Sequence, residues 1–410
     1  MLKNRSIATI ITIWLGWFLV LYAFQGFVSQ RMQLQRPDYA LSWTPHETGR
    51  NSQNDKPYLL DPFLNAQVAW DSEYYISISI NGYDDPDGRV IYTPSGKIAL
   101  NYAFFPLYGL AIRILSAPLS IFGLTTIATA TLAGVILSLV GTLGGMIALY
   151  DIVREKSGED SGIQAAFYML IFPTSFFLAM VYTEGLFVGL AFGSLAFMRR
   201  KQFLFAAVLA ALATWTRAAG ALLALPLFLT WAEDIDWRTV VKQRQLPPIH
   251  KLIQVLWVLA PLIAYGVWYL TLGEKFTIVE ENFFGRGFLA IEQSFQQWSS
   301  AWQALLNGEI QQQAAYYLIE FSLIAFAFLA SIFTLRRYPK ETIFGLSVLV
   351  LSFTSGSAQS MARYVITIPA IYLVLAQLGR YQAFDRIWTF GSGLLQGLLV
   401  TLFTFDMWVA

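Results

Sequence analysis

Long apolar runs separated by short polar turns make up most of the chain. The first run ends near residue 28, and the later ones lie at 104–122, 124–150, 162–181, 185–198, 203–215, 218–231, 252–272, 314–335, 342–353, 364–378 and 388–408. A helix that crosses a bilayer needs about 20 mostly apolar residues, and we expect the shorter runs to extend into polar flanks or to tilt. The pattern predicts an all-α polytopic membrane protein that forms one domain, 1–410.

Two long segments interrupt this pattern, and both are predicted to be outer loops. The first covers 29–123 and the second covers 273–313, which is rich in Gln and Trp. The first includes the apolar run 104–122, which contains Arg113 and two prolines. An arginine and prolines disfavour a spanning helix, so we expect this run to lie at the membrane surface as an interfacial helix.

Basic residues in the short loops set the predicted orientation. They form five clusters: Arg154/Lys156, Arg199–Lys201, Arg238/Lys242/Arg244, Arg336/Arg337/Lys340 and Arg380/Arg386. All five lie on one side only if 104–122 does not cross the membrane, and the positive-inside rule assigns that side to the cytoplasm. The charges therefore predict about eleven transmembrane helices, with the N-terminus inside and the C-terminus and both long loops outside.

Composition agrees with a membrane protein and excludes several kinds of site. Of 410 residues, 56% are hydrophobic and 13% are charged, whereas a soluble domain carries about 25% charged residues. The net charge of +1 gives no reason to expect nucleic-acid binding. The chain has no Cys, which excludes disulfides, thiolate metal sites and a Cys nucleophile. The N-terminal apolar run is too long for a signal peptide and is interpreted as the first transmembrane helix.

Candidate chemistry begins in the first long loop, with WDSEYY at 70–75 and NGYDD at 81–85. Aromatic faces stack on sugar rings, and a carboxylate can accept a hydrogen bond or a proton from a sugar hydroxyl. An ordinary solvated acidic loop would have the same composition, so spacing alone leaves both interpretations open. Asp84, Asp85 and Asp87 could ligate a hard divalent cation, although we expect no metal and no other cofactor.

Three charged residues outside the first loop lie at the predicted outer ends of helices. Glu184 stands between two apolar runs, where a carboxylate is costly unless it is paired or faces a wet cavity. The alternative is a simple turn acid at the interface. Arg217 and Arg363 could bind a phosphate, because the planar guanidinium matches phosphate oxygens, or could only extend to the lipid headgroups.

The sequence resembles the PIG-V type of GPI mannosyltransferase and its bacterial relatives, which are membrane glycosyltransferases of the GT-C class. The motifs that carry the resemblance are, in chain order, WDSxxY at 70–75, NYAFFPLY at 101–108, PTSFF at 173–177, YTEGLF at 182–187 and TRxxG at 216–220. Arg363 and Tyr364, with Pro369, fit more loosely. The family usually has His where this chain has Tyr74, so no role of that His is carried over.

The resemblance implies a donor and a set of functional residues. Enzymes of this class use a sugar carried on polyprenyl or dolichyl phosphate, and an acid in the outward-facing first loop is essential. By this resemblance Asp71 becomes the candidate catalytic base. The expected substrate-binding residues are Trp70, Ser72, Tyr75, Glu184, Arg217, Arg363 and Tyr364.

These observations together predict a GT-C-like inverting transferase. We expect it to move a hexose, with mannose favoured, from a polyprenyl-phosphate donor to a hydroxyl of a lipid, glycan or protein acceptor at the extracytoplasmic or luminal face. Membrane lipids are the other expected partners. A lipid or solute transporter is the main alternative, although transporters place charged residues near the bilayer midplane. A membrane scaffold would leave Glu184, Arg217 and Arg363 without a role.

Overall fold

The computed structural model describes residues 2–94, 96–237, 242 and 247–410. The α-helices of this part are α1 (Leu2–Arg31), α2 (Thr44–Glu47), α3 (Ser72–Asn81), α4 (Pro106–Leu119), α5 (Thr126–Ser157), α6 (Glu159–Ile171), α7 (Thr183–Arg199), α8 (Phe203–Thr214), α9 (Ala224–Glu233), α10 (Ile249–Asn282), α11 (Ile291–Asn307), α12 (Gln311–Thr334), α13 (Pro339–Phe353), α14 (Met361–Val365), α15 (Pro369–Leu378) and α16 (Gln382–Thr404). Strands β1 (Val90–Thr93) and β2 (Gly96–Ala99) form an antiparallel hairpin in the first loop. The predicted all-α class is confirmed.

Five of the described helices are long and apolar enough to cross a membrane by length and composition. They are α1, α5, α10, α12 and α16. Shorter apolar helical segments lie at Pro106–Phe122, Phe203–Thr214, Ala218–Glu233 and Pro369–Leu378. The chain is an integral membrane protein, and the number of eleven spans stays a prediction.

Close approach of α5 and α7 forms the centre of the helical core. A Cβ added at Gly141 of α5 would lie 2.5 Å from the carbonyl oxygen of Gly185, and one at Gly189 would lie 2.4 Å from the carbonyl oxygen of Gly141. Small residues let helix backbones pack closely inside a membrane, where lipid tails are as apolar as the side chains. Since Glu184 is in the first turn of α7, this packing fixes its position.

Helix α4 packs against α3 within the first loop, and its interfacial position stays a prediction. Its 14 residues give a length of about 21 Å, short of the roughly 30 Å hydrocarbon core. Arg113 donates hydrogen bonds to the carbonyls of Ile78, Ser79 and Ile80, at the C-terminal end of α3. Thr125, just after α4, donates to Asp61 of the first loop. These contacts keep α4 at the first-loop end of the molecule.

The basic loops meet at the opposite end of the helices. Lys156 and Arg337 each donate to the backbone carbonyl of the other, at 2.5 and 2.6 Å. Arg199 pairs with Glu155 at 2.7 Å, and Arg380 donates to the carbonyl of Ser157 at 3.3 Å. Clusters from four separate loops therefore share one end of the molecule. In the remaining cluster, Arg238 and Arg244 lie outside the described residues.

The segment 273–313 differs from a simple loop. Helix α10 continues through 273–282, and α11 covers Ile291–Asn307. The apolar side chains of α11 lie along one face, with Trp298 and Ala301 buried and Gln296 and Gln297 exposed. The period-3.6 pattern in this polar segment is the signature of an amphipathic helix, which a search for uninterrupted apolar runs does not detect.

Candidate functional site

Asp71 stands at the start of α3, in a turn held by Tyr182. The Tyr182 phenol donates to the carbonyl of Ala69 at 3.0 Å and accepts from the Asp71 amide at 3.3 Å. The Ser72 hydroxyl accepts from the Ala69 amide at 3.2 Å. Trp70 has a left-handed backbone with φ of 51°, which is uncommon for a bulky residue. The YTEGLF and WDSxxY motifs therefore meet at this turn.

Four charged side chains form one connected ion-pair chain. The Arg363 guanidinium contacts Asp71 Oδ2 through Nη1 at 2.5 Å and Glu184 Oε1 through Nε at 3.0 Å. Arg217 pairs with the same Glu184 oxygen. Of the two alternatives for Glu184, the structure has the paired carboxylate. The residue is 0% exposed, and a buried charge without partners would be strongly destabilising.

The backbone around Arg217 is shaped by a glycine. The Gly220 amide donates to the Arg217 carbonyl at 2.9 Å, which closes the turn between α8 and the 3₁₀ helix Ala218–Leu223. A Cβ at Gly220 would lie 2.3 Å from the amide nitrogen of Thr214. The turn can be this tight only because the side chain is absent, which gives the TRxxG motif a structural reason.

The ring of Tyr364 lies close to three guanidinium groups of the site. Arg217, Arg286 and Arg363 lie 4.8, 5.5 and 5.8 Å from the centre of its ring. Arg286 also donates to the Tyr364 hydroxyl at 2.5 Å and to the Ser360 hydroxyl at 3.2 Å. Guanidinium groups on an aromatic face are attracted to its electron density. Arg286 is not among the expected substrate-binding residues; in the sequence it is, with Lys275, only the next choice for a phosphate site after Arg217 and Arg363.

These side chains border a cavity of about 910 Å³. Of the expected site residues, six line it: Trp70, Asp71, Tyr75, Arg217, Arg363 and Tyr364. Ser72 and Glu184 are not among the lining residues and are fully buried. Ser72 hydrogen-bonds within its own turn, and Glu184 lies behind the two arginines. Neither residue therefore borders the cavity, where the other expected substrate-binding residues lie.

The same cavity has a second charged group that the sequence did not single out. Glu47 pairs with Lys56 at 2.8 Å and with Arg89 at 2.9 Å, and Arg89 lies 3.8 Å from Glu73. Burial acts to raise the pKa of Glu47, but hydrogen bonds and charge from Lys56 and Arg89 outweigh it and leave that pKa below its usual value. At Glu73 the effect of burial is larger than the opposing effect of the more distant cations Arg89 and Lys56. The pKa of Glu73 is therefore raised to about 7.

The aspartates of the NGYDD segment serve structure. Asp85 accepts from Ser77 at 2.6 Å and from Asn81 at 2.9 Å, while Asp84 accepts from Tyr102 at 2.9 Å. Within the described residues, no three His, Cys, Asp or Glu side chains are grouped so as to hold a metal ion. Metal independence of the reaction stays a prediction.

Comparison of the sequence with protein families gives a match over much of the chain. The family model described as Mannosyltransferase (PIG-V) matches residues 47–269, which is more than half of the 410 residues. The matched part contains Asp71, Glu184 and Arg217, and Arg363 lies beyond it. A comparison with curated proteins found no match.

Comparison with solved structures gives similar folds at low sequence identity. ArnT from Cupriavidus metallidurans bound to undecaprenyl phosphate has a TM-score of 0.46 and 14% identity, over 95% of this chain and 76% of that one. The Archaeoglobus fulgidus oligosaccharyltransferase in complex with Zn and sulfate has a TM-score of 0.44 and 15% identity, over 85% and 50%. Archaeal AglB with an inhibitory peptide and a dolichol-phosphate has a TM-score of 0.40 and 13% identity, over 95% and 55%.

Proposed function

Because this chain belongs to the mannosyltransferase (PIG-V) family, we propose that it transfers mannose from a polyprenyl-phosphate donor to an acceptor hydroxyl, with inversion and with Asp71 as the base. The observation that carries the residue assignment is the ion-pair chain of Asp71, Arg363, Glu184 and Arg217 at the cavity. It brings a carboxylate and two guanidinium groups to one place. The reaction needs a proton acceptor and positive charge together.

The proposed step is a single displacement at the anomeric carbon. Asp71 accepts the proton of the acceptor hydroxyl while that oxygen forms a bond to the anomeric carbon. The bond from this carbon to the phosphate oxygen breaks, and its electron pair leaves with the lipid phosphate. Attack from the face opposite the leaving group inverts the configuration. The contact with Arg363 uses Oδ2 of Asp71, and we assign the proton to Oδ1.

The leaving group sets the requirement for positive charge. A lipid phosphate is already a stable anion, so it needs charge stabilisation more than it needs an acid. Arg217 and Arg363 line the cavity, and guanidinium groups bind phosphate oxygens through paired hydrogen bonds. Glu184 holds both arginines from behind, which fixes their orientation before the donor binds.

We place the site at the extracytoplasmic or luminal face. It lies at the end of the molecule that carries the first loop, and the basic loops lie at the other end. Since basic loops stay in the cytoplasm, the site faces outward. The acceptor would then be reached from the outer aqueous phase or the outer leaflet.

Replacement of Asp71 tests the proposal. Asp71→Asn keeps the size of the side chain and removes its charge, so we expect normal membrane insertion and a loss of about 10²-fold or more in the release of lipid phosphate from labelled polyprenyl-phosphate mannose. Asp55→Asn, an exposed change in the same loop, is the matched control and should keep full activity. Near-normal turnover by well-folded Asp71→Asn protein would remove Asp71 from the mechanism.

A further inference from the structure

The loops at the end of the molecule opposite the site contain two kinds of basic residue. Among the described ones, those with a carboxylate at ion-pair distance are Arg154, Arg199, Arg200, Lys201, Lys251 and Lys340. Lys156, Arg337 and Arg380 differ, because no described Asp or Glu lies at ion-pair distance from them. Ion pairs within the protein balance the first group, so the second group leaves its positive charge open to a ligand.

These three unpaired cations meet at one short turn, although they come from three different loops. Arg337 donates to the Lys156 carbonyl at 2.6 Å and to the Ser157 hydroxyl at 2.9 Å. Arg380 donates to the Ser157 carbonyl at 3.3 Å and to the Ser161 hydroxyl at 3.2 Å. Lys156 donates to the Arg337 carbonyl at 2.5 Å. We call Lys156, Arg337 and Arg380 the basic triad.

The ring of Tyr338 fixes two members of the basic triad. Lys156 Nζ lies 5.0 Å and the Arg337 guanidinium 5.7 Å from the ring centre, and the Tyr338 hydroxyl lies 3.2 Å from the Ser157 hydroxyl. Tyr338 is 1% exposed, so the ring belongs to the packed interior. A cation attracted to an aromatic face keeps its charge. The positions of these charges are therefore set before any ligand binds.

Two simpler explanations account for only part of the basic triad. Helix α5 ends at Ser157, and cations near the end of a helix stabilise its last carbonyls. Lys156 belongs to that last turn, but Arg337 and Arg380 come from the α12–α13 and α15–α16 loops. The positive-inside rule favours basic residues in each loop and does not require them to converge. Like charges brought together repel one another, which favours an anion between them.

Side chains that face lipid adjoin the basic triad. Phe333, 72% exposed, precedes Arg337 by four residues (337 − 333), and Tyr381, 70% exposed, follows Arg380 directly. Phe333 is near the end of α12 and Tyr381 precedes the start of α16, and both helices are long and apolar enough to cross a membrane. An anion bound by the triad would therefore lie at the level of the lipid headgroups.

An aromatic seam between α12 and α16 continues from the basic triad along the helices. The rings of Phe326 and Trp388 are stacked with their centres 5.4 Å apart, and Phe384 lies 6.0 Å from Trp388. Phe326 is seven residues before Phe333 (333 − 326), which is about two helical turns, so the two rings share a face of α12. This face suits an acyl chain that extends from the triad into the membrane.

We propose that the basic triad binds the phosphate of an anionic phospholipid in the leaflet at this end, with an acyl chain along the α12–α16 seam. Arg337 and Arg380 use only Nη2 in their hydrogen bonds to described residues. Their Nη1 and Nε groups donate to the phosphate oxygens, and Lys156 supplies a third positive charge. Basic pockets between transmembrane helices bind anionic headgroups in this way.

The net charge of the lipid decides its affinity for this site. A zwitterionic lipid has the same phosphate but also carries a cation, which the basic triad repels. The site lies at the opposite end of the molecule from Asp71 and Arg217, so it is separate from the proposed transferase reaction.

Lipid titration of the purified full-length chain in a neutral detergent tests the proposal. The probes are dioleoyl-phosphatidylglycerol and dioleoyl-phosphatidylcholine, which share their acyl chains and phosphate and differ in net charge, and native mass spectrometry measures the bound lipid. We expect phosphatidylglycerol to bind at least about tenfold more tightly. It should also raise the Tm, because a ligand that binds the folded state stabilises it. Equal affinity for the two lipids would overturn the proposal.

Charge-neutralising variants locate the site. Arg337→Gln and Arg380→Gln should each weaken phosphatidylglycerol binding about fivefold, the usual contribution of one basic residue near an anionic surface. The control is Lys201→Gln, which removes one charge at the same end. Because Lys201 pairs with Asp234 at 2.6 Å, this variant should keep the parent's affinity. Equal losses in all three variants, or no loss in the two arginine variants, would overturn the site. Arg380 is exposed, so Arg380→Gln keeps the test decisive if Arg337→Gln lowers the amount of folded protein.

Two competitors distinguish a lipid from other anions. Inorganic phosphate, added at constant ionic strength, should leave phosphatidylglycerol bound, because it has no acyl chain to occupy the α12–α16 seam. A soluble polyglutamate peptide should leave it bound for the same reason. Displacement by phosphate would identify a site for a free anion, and displacement by the peptide would identify a surface for an acidic protein segment. Either result would overturn the assignment to a lipid.

Discussion

At the scale of single residues, Arg363 is the centre of the site. It is the only link in the described chain between Asp71 and Glu184, and it uses different nitrogens for the two carboxylates. Glu184 in turn shares one oxygen between Arg363 and Arg217. Two carboxylates and two guanidinium groups balance in charge. Arg286 adds a further cation at Tyr364, and among the described residues no carboxylate lies within ion-pair distance of it.

Conservative replacement of the two paired arginines tests their geometry. Lysine keeps the charge but lacks the planar fork, which lets Arg363 contact two carboxylates and lets either arginine bind two phosphate oxygens. We expect Arg217→Lys and Arg363→Lys each to lower kcat/KM for the donor at least about tenfold, equivalent to about 1.4 kcal/mol. Donor titrations measure this, with the exposed Arg50→Lys as control. If both variants keep the parent's KM and kcat, the phosphate site is elsewhere, and Arg286 is the next candidate.

At the scale of secondary-structure elements, α14 depends on α12 for its position. This helix of five residues carries Arg363 and Tyr364, and a helix so short leaves its first amides without internal partners. Glu320 of α12 accepts from the Met361 amide at 2.8 Å and from the Ala362 amide at 3.3 Å. Its residue is 0% exposed, so a buried carboxylate from another helix caps α14.

We therefore expect Glu320 to act as a positioning residue through Arg363. Glu320→Ala should lower kcat/KM about tenfold or more, and Glu320→Gln, which keeps one acceptor oxygen, should lose less. Combined with Arg363→Lys, either change should cost less than the sum of the two single effects, because residues that act through one another are not additive.

Glu341→Gln is the matched control for this prediction. Glu341 is also buried, 2% exposed, but it pairs with Arg199 at the basic-loop end of the helices. Glu341→Gln should lower the free energy of unfolding. Any loss it causes in kcat/KM should add fully to the loss caused by Arg363→Lys. Fully additive effects for Glu320 as well would show that it contributes only general stability.

At the scale of the whole molecule, the site and the basic loops occupy opposite ends. The C-terminal segment reaches the site end, where the Trp408 amide donates to Asp38 of the first loop at 2.8 Å. Four basic clusters lie together at the other end. This arrangement agrees with a family of membrane glycosyltransferases, and the family match favours a transferase over the transporter alternative.

Single cysteines test the proposed topology in a chain that has none of its own. Lys97 and Phe122 are both exposed, one before α4 and one after it. Lys97→Cys and Phe122→Cys should both react with an impermeant maleimide added to intact cells, because α4 does not cross. Arg336→Cys, exposed at the basic end, should react only after permeabilisation. Reaction of the first two from opposite sides would overturn the helix count.

The sequence by itself determined the class of protein and supplied the candidate site residues. Apolar runs of spanning length and the one-sided basic loops depend only on neighbouring residues, because solvation by lipid acts on each segment separately. The same local logic identified Glu184, since a carboxylate between two apolar runs must find a partner. It missed α11, whose apolar residues are spaced at helical intervals within a polar segment.

Only the tertiary structure decided which residues meet. Asp71 and Arg363 are 292 positions apart, and Trp70 and Trp408 are 338 positions apart (408 − 70), so no local pattern relates the members of either pair. Glu47 and Arg89 are ordinary loop charges until folding pairs them in one wall of the cavity. The physical reason is that local sequence fixes the burial and periodicity of each helix, whereas contacts between side chains depend on how all the helices pack together.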